Sequence, residues 1–211
     1  MRTTQAVSLN DVSRTKRQQI LDAAYVIFSR KGYHRATVDE IIALADTGKG
    51  TVYNYFTNKE RLFYTLVKER SAPFESALQE VARSHDPVLT KLEIMIRLFL
   101  QFYLDNGGLL RVLMHEMRGF GSEQYSTLSQ DQREKHQNSF RATIDILQQA
   151  LEEGIQAGVI KECDAQKSAY ALFSVIVTMV FQNFVEENLD ETAHLIADVF
   201  FYGIAKERLA K

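Results

Sequence analysis

The chain has 211 residues, 45% of them apolar, with ten glycines, two prolines and a formal net charge of −2. That length and apolar share are enough for one or two domains with a filled core. The single cysteine, Cys163, excludes an internal disulfide or a cysteine-based zinc site. A polar N-terminus and the lack of any long apolar run argue against export or a membrane span, so a cytoplasmic protein is expected. The charge is unevenly placed: residues 1–70 hold 12 Lys/Arg against 7 Asp/Glu, and residues 71–211 hold 13 against 20. A basic first third on an acidic remainder suits a chain in which one module meets phosphate and the other does not.

No stretch alternates with the period of a strand, so the expectation is an all-α fold of about nine helices. Residues 1–12 show no periodicity and read as a disordered arm. The first helix is predicted over residues 13–31, with Ile20, Ala23, Ala24, Ile27 and Phe28 on one face and Gly32 closing it. Arg14, Lys16 and Arg17 stand at its start, where the helix dipole disfavours cations and a nearby phosphate would relieve the conflict. Tyr33 is expected to pack back under the domain. Thr37 and Glu40 have the spacing of a capping box, and Ile41, Leu44 and Ala45 follow on one helix face. Asp46-Thr47-Gly48 reads as a turn, and a short third helix follows over residues 49–55. Thr57-Asn58-Lys59-Glu60 reads as a second capping box, opening a fourth helix.

Two helices joined by so short a turn form a helix-turn-helix, whose second helix can enter the major groove. The composition of that second helix carries the functional argument. Lys49, Thr51, Tyr53, Asn54, Tyr55 and then Lys59 supply cations, a hydroxyl, an amide and phenols, groups that hydrogen-bond phosphates and base edges. Only Val52 and Phe56 look reserved for packing, and Gly48 and Gly50 let a backbone approach a duplex.

Residues 14–62 resemble the DNA-binding domain of the tetracycline-repressor (TetR) family of bacterial transcription regulators. The matching pieces are Ile20-Leu21-Asp22-Ala23-Ala24, Phe28, Gly32-Tyr33, Thr37-Val38-Asp39-Glu40-Ile41, Lys49-Gly50-Thr51-Val52-Tyr53-Asn54-Tyr55-Phe56, Asn58-Lys59-Glu60 and Leu62. The sequence departs at Asp46 and Thr47, where such proteins usually carry glycine and an aliphatic residue. Asp tolerates a left-handed backbone, so the turn is expected to survive, whereas Thr47 should pack less well. The resemblance implies that Thr37, Tyr53, Tyr55 and Lys59 contact phosphates and that Lys49, Gly50, Thr51 and Asn54 face the groove. It also implies a DNA-binding domain over residues 13–60 and a ligand-binding and dimerisation domain over residues 61–211.

Along that second part, the fourth helix runs to about residue 83, and Pro73 is expected to kink or split it. Ser84-His85-Asp86-Pro87 reads as a linker. A fifth helix ends at Asn106-Gly107-Gly108, a short sixth at Gly119-Phe120-Gly121-Ser122. After a polar stretch, a seventh helix carries Phe140, Ile144, Leu147, Leu151 and Ile155, with Gly158 as its closing residue and Val159 as the apolar contact that follows. The eighth, residues 164–187, is apolar all round, and the ninth, about 190–209, adds Leu195, Ile196, Val199 and Phe200. Two such helices exceed what one core needs and predict a homodimer by four-helix packing, as does the resemblance.

Candidate ligand-lining residues are Met95, Phe99, Phe102, Met114, Met117, Phe140, Phe173 and Val177, although apolar periodicity does not separate a cavity wall from plain core. Glu116 reads either as a partner for a cationic ligand or as a solvated charge. The five histidines show no i, i+4 pair, so no metal and no cofactor is expected. Gly48-Lys49-Gly50-Thr51 lacks the first glycine and the preceding strand of a phosphate-binding loop, and no hydrolase or dinucleotide motif occurs, so no enzyme and no catalytic residue is expected. The expected function is a dimeric repressor released from a palindromic double-stranded operator by a largely apolar small molecule. The alternative is a dimeric DNA-binding or scaffold protein without such an effector, acting through a protein partner.

Overall fold

The computed structural model describes residues 15–117, 128–185 and 188–203. The expected arm over 1–12, the Gly119–Ser122 closure and the final helix beyond residue 203 lie outside the described residues. Among those described there are eight helices and no strand: α1 (Lys16–Arg35), α2 (Val38–Leu44), α3 (Lys49–Tyr55), α4 (Lys59–Arg83), α5 (Val88–Met117), α6 (Gln130–Gln156), α7 (Ala165–Phe181) and α8 (Leu189–Phe201). The chain forms two compact units, parting between Leu66 and Val67.

In the first unit, Thr15 caps α1 by accepting from the Gln18 amide. Ile20, Ala24 and Phe28 are fully buried. Gly32 adopts φ 77° and ψ 165°, a conformation that essentially only glycine tolerates, and the chain turns there before one last helical turn. Tyr33 is thereby folded back onto Phe28 and Phe63, with centroids 5.8 and 5.0 Å away. Ile41, Val52, Phe56, Leu62, Phe63 and Leu66 complete this core.

In the second unit α5 is the central helix, packing against α6, α7 and α8. Three boundaries differ from the sequence reading. Asn106-Gly107-Gly108 lies inside α5, so the predicted fifth and sixth helices are one. Each glycine costs a helix about 1 kcal/mol relative to alanine, but Leu100, Leu109, Leu110 and Leu113 are buried on both sides of it, and burying each stabilises by roughly 1.5–3 kcal/mol. Helix α6 starts at Gln130, capped by Ser129, within the polar stretch that precedes its apolar face. Helix α7 stops at Phe181, where Asn183 takes a left-handed φ of 57°. Helix α4 runs through Pro73 without splitting; Phe74, one residue on, is held against Phe99 and Phe102. Gly158 closes the α6 turn with φ 71° as expected, but the apolar contact is Ile160, lying over Gly154, while Val159 is exposed.

Lys91 is a buried cation, 4% exposed, and its ammonium donates to both Glu153 oxygens at 3.0 and 3.1 Å and to the Ala82 carbonyl at 3.4 Å. It ties the start of α5 to the ends of α4 and α6. Val175 on α7 and Leu195 and Val199 on α8 are large apolar side chains left exposed.

Candidate nucleic-acid interface and effector cavity

The turn of the helix-turn-helix is built from α2 and α3. Thr37 and Glu40 make the expected capping box: the Thr37 hydroxyl accepts from the Glu40 amide at 3.2 Å, and the Thr37 amide donates to the Glu40 carboxylate at 3.1 Å. Lys31 bonds the same carboxylate and, with the Thr37 amide, holds it below the usual carboxylate range. Asp46 has φ 46°, so aspartate does take the left-handed place at the turn. The second capping box is not formed as read: Asn58 is the cap, accepting from the Arg61 amide at 2.7 Å.

Helix α3 buries Val52 and turns the rest outward. Lys49, Gly50 and Asn54 are exposed, as are Tyr53 at 42% and Tyr55 at 48%. Thr51 is half-buried and Thr37 exposed. The Lys49 ammonium pairs with Asp39 at 3.5 Å, both well exposed, a contact worth little in water. A Cβ added at Gly50 would meet nothing within 4 Å, so nothing inside this protein asks for glycine there. Arg17 lies over the Phe56 ring at 5.7 Å, a contact with no periodic signature in the sequence. Lys59 differs from the other candidates. Its ammonium donates to the carbonyls of Tyr33 at 2.9 Å, Ala36 at 3.1 Å and His34 at 3.4 Å, and sits 4.5 Å from the Tyr33 ring centroid. An ammonium has three protons, and three carbonyls face them.

The second unit contains a half-open cavity of ≈ 350 Å³ between α4, α5, α6 and α7. Of the candidates, Phe99, Phe102, Met114, Phe140 and Phe173 line it. Met95 is fully buried, and neither it nor Val177 is on the wall; the side chain of Met117 lies outside the described residues. The wall is an aromatic network: Phe74 stacks on Phe102 at 4.3 Å, Phe99 meets Phe74 edge-on at 4.9 Å, and Phe173 meets Phe140 at 5.0 Å and Tyr103 at 5.8 Å. Ser71, Phe74 and Glu75, spaced i, i+3, i+4, present one face of α4 to it. That spacing was legible; His136, buried at 4% within a polar stretch, carried no such signal. Desolvation raises the Glu75 carboxyl above its ordinary value, and burial pushes the Tyr103 phenol up, keeping it a neutral donor. Glu116 is 3% exposed, so it is not a solvated charge, and it is not on the cavity wall. No group of metal-holding side chains occurs among the described residues, and no helix of the described residues is long and apolar enough to cross a membrane.

A helix-turn-helix with a polar outward helix, joined in one chain to a larger helical unit, is the architecture of a DNA-binding transcriptional regulator. Residues 20–65 match the model of bacterial regulatory proteins of the tetR family, and residues 85–181 match the tetracyclin repressor-like C-terminal domain. The chain belongs to the tetR family of bacterial transcriptional regulators. It is 29% identical over 195 residues to the fatty acid metabolism regulator protein of Bacillus subtilis, covering 90% of this chain and 96% of that one. Its fold is shared with FadR from Bacillus subtilis in complex with stearoyl-CoA, at TM-score 0.69 and 24% identity over 89% of this chain and 98% of that one. It is shared likewise with the fatty acid degradation regulator FadR from Bacillus halodurans, at TM-score 0.72 and 22% identity over 93% and 99%. These relatives are regulators, not enzymes.

Proposed function

We propose that the protein is an operator-binding repressor, dimeric through α7 and α8, and released from DNA by a largely apolar small molecule held in the second unit. The aromatic cavity is the observation that carries this reading. At ≈ 350 Å³ it falls within the size range of small-molecule sites, roughly 300–1,000 Å³. A solidly packed unit would have favoured the effector-free alternative. The stearoyl-CoA bound by the Bacillus subtilis structure makes an acyl chain the first candidate for the apolar part of the ligand.

In this reading residues 13–60 are the DNA-binding module and α3 enters the major groove. Tyr53, Tyr55 and Thr37 bind phosphates, and Lys49, Gly50, Thr51 and Asn54 face the base edges. Lys59 supports them from behind, by fastening the start of α4 to the end of α1. Two reading heads engage a palindrome only when about one helical turn apart, some 34–36 Å. The ligand acts through its greater affinity for the arrangement that cannot span both half-sites. The test is operator binding by fluorescence anisotropy, on a duplex selected from random sequence, with and without stearoyl-CoA. Release of the duplex on titration supports the proposal. Unchanged DNA affinity across a series of apolar ligands returns the effector-free alternative.

A further inference from the structure

Among its polar groups the cavity wall carries one carboxylate and one imidazole, that of His136. Glu75 is its single carboxylate, and no lysine or arginine stands among the described residues lining it. Glu75 is half-buried on α4, beside Phe74, and makes no hydrogen bond or ion pair with another described residue. Desolvation by burial raises its carboxyl and, among the described residues, the charge of Lys68 acts against that. Tyr103, 5% exposed, adds a phenol to the same wall, a donor that stays neutral. A ligand carboxylate entering here would lose water and face the like charge of Glu75, with the His136 imidazole and no lysine or arginine among the described lining residues to offset either cost. An ammonium, or an uncharged carbonyl or hydroxyl, meets no such like-charge repulsion. The ammonium would gain from both Glu75 and the negative faces of the rings.

We infer that the cavity filters its ligand by head-group charge, accepting an apolar chain that ends in a cationic or uncharged polar group and refusing a free carboxylate, with Glu75 as the residue that sets the filter. This rests on the reading of the cavity as the effector site. It selects the class of ligand: a coupled acyl group, an alcohol or an amine, and not a free fatty acid.

The experiment is calorimetric titration of the full-length protein with dodecylammonium, dodecanol and dodecanoate, which share one chain and differ in the head. The wild type binds the ammonium and the alcohol at least ten-fold more tightly than dodecanoate. Glu75→Gln brings the three within about two-fold, chiefly by weakening the ammonium and strengthening dodecanoate; Glu75→Asp keeps the order. Circular dichroism confirms that each variant is folded. Equal binding of all three by the wild type, or an order unchanged in Glu75→Gln, overturns the filter while leaving the cavity as effector site. Binding of none of the three, with operator affinity indifferent to all, overturns the filter together with the effector reading.

Discussion

The ammonium of Lys59 lies 2.9 Å from the carbonyl oxygen of Tyr33 and 4.5 Å from the centroid of the same residue's ring. One side chain at the start of α4 thus holds both the backbone and the ring of the residue that Gly32 folds back under the first unit. Hydrogen bonds from a charged donor are worth about 1.5–3 kcal/mol. Lys59→Met is expected to lower unfolding stability by that order, measured by denaturant titration. The salt dependence of operator binding separates this role from a phosphate contact. Losing a phosphate contact made by a cation lowers the slope of log affinity on log salt by about 1. Lys49→Met, which removes an exposed ammonium proposed to face the base edges, is expected instead to relax specificity at one base position, read on a panel of operator variants. Lys59→Met is expected to leave the slope as it was while weakening binding overall.

Gly50 makes a prediction with opposite signs for folding and function. A Cβ there meets nothing within 4 Å, and the residue is in a helix. Gly50→Ala should stabilise the free protein by about 0.5–1 kcal/mol, read as a higher thermal midpoint. If the backbone at Gly50 approaches the duplex as proposed, the same change weakens operator binding, read by anisotropy.

Gly154 behaves the other way. A Cβ at that position would lie 2.5 Å from Ile160 Cδ1 and 2.8 Å from its Cγ1. Gly154→Ala is expected to destabilise by about 1–3 kcal/mol through overpacking. Ile160→Ala removes the clashing atoms, so the double variant should be less destabilised than the two single effects added together. Denaturant unfolding of the four proteins in the cycle decides it.

The α7–α8 face provides the oligomer test. Leu195 is 52% exposed and Val199 42%, one helical turn apart on α8. Leu195→Glu places a charge in the proposed four-helix contact and should convert the dimer to a monomer in light scattering, with loss of operator binding, while helicity is kept. Retention of the dimer would move the interface elsewhere.

The first unit was legible because short-range chemistry decides it. Thr37–Glu40 capping, the left-handed Asp46, the break at Gly32 and the burial of Val52 and Phe56 all follow from residue type and spacing. The second unit was less so. Asn106-Gly107-Gly108 has the local chemistry of a helix end, yet tertiary burial of the leucines around it carries α5 through. Met95 and Phe99 share one helix face in the sequence, but the first is fully enclosed and the second is on the cavity wall. That difference depends on which helix crosses above each, which no single-helix pattern encodes. Lys59 was legible as a cation at the start of α4, and not as the holder of three carbonyls 23 to 26 residues earlier in the chain.

Ligand control of DNA binding is best measured by titrating stearoyl-CoA into the wild-type protein already bound to a fluorescently labelled operator, and reading the apparent operator affinity at each concentration. Coupling between two sites is commonly about 1–3 kcal/mol. The apparent Kd is therefore expected to rise by about 5–150-fold and then plateau as the cavity saturates. If calorimetry shows the ligand bound while the operator Kd stays constant, the cavity holds a ligand that does not govern DNA binding, and release of the operator through this cavity is contradicted.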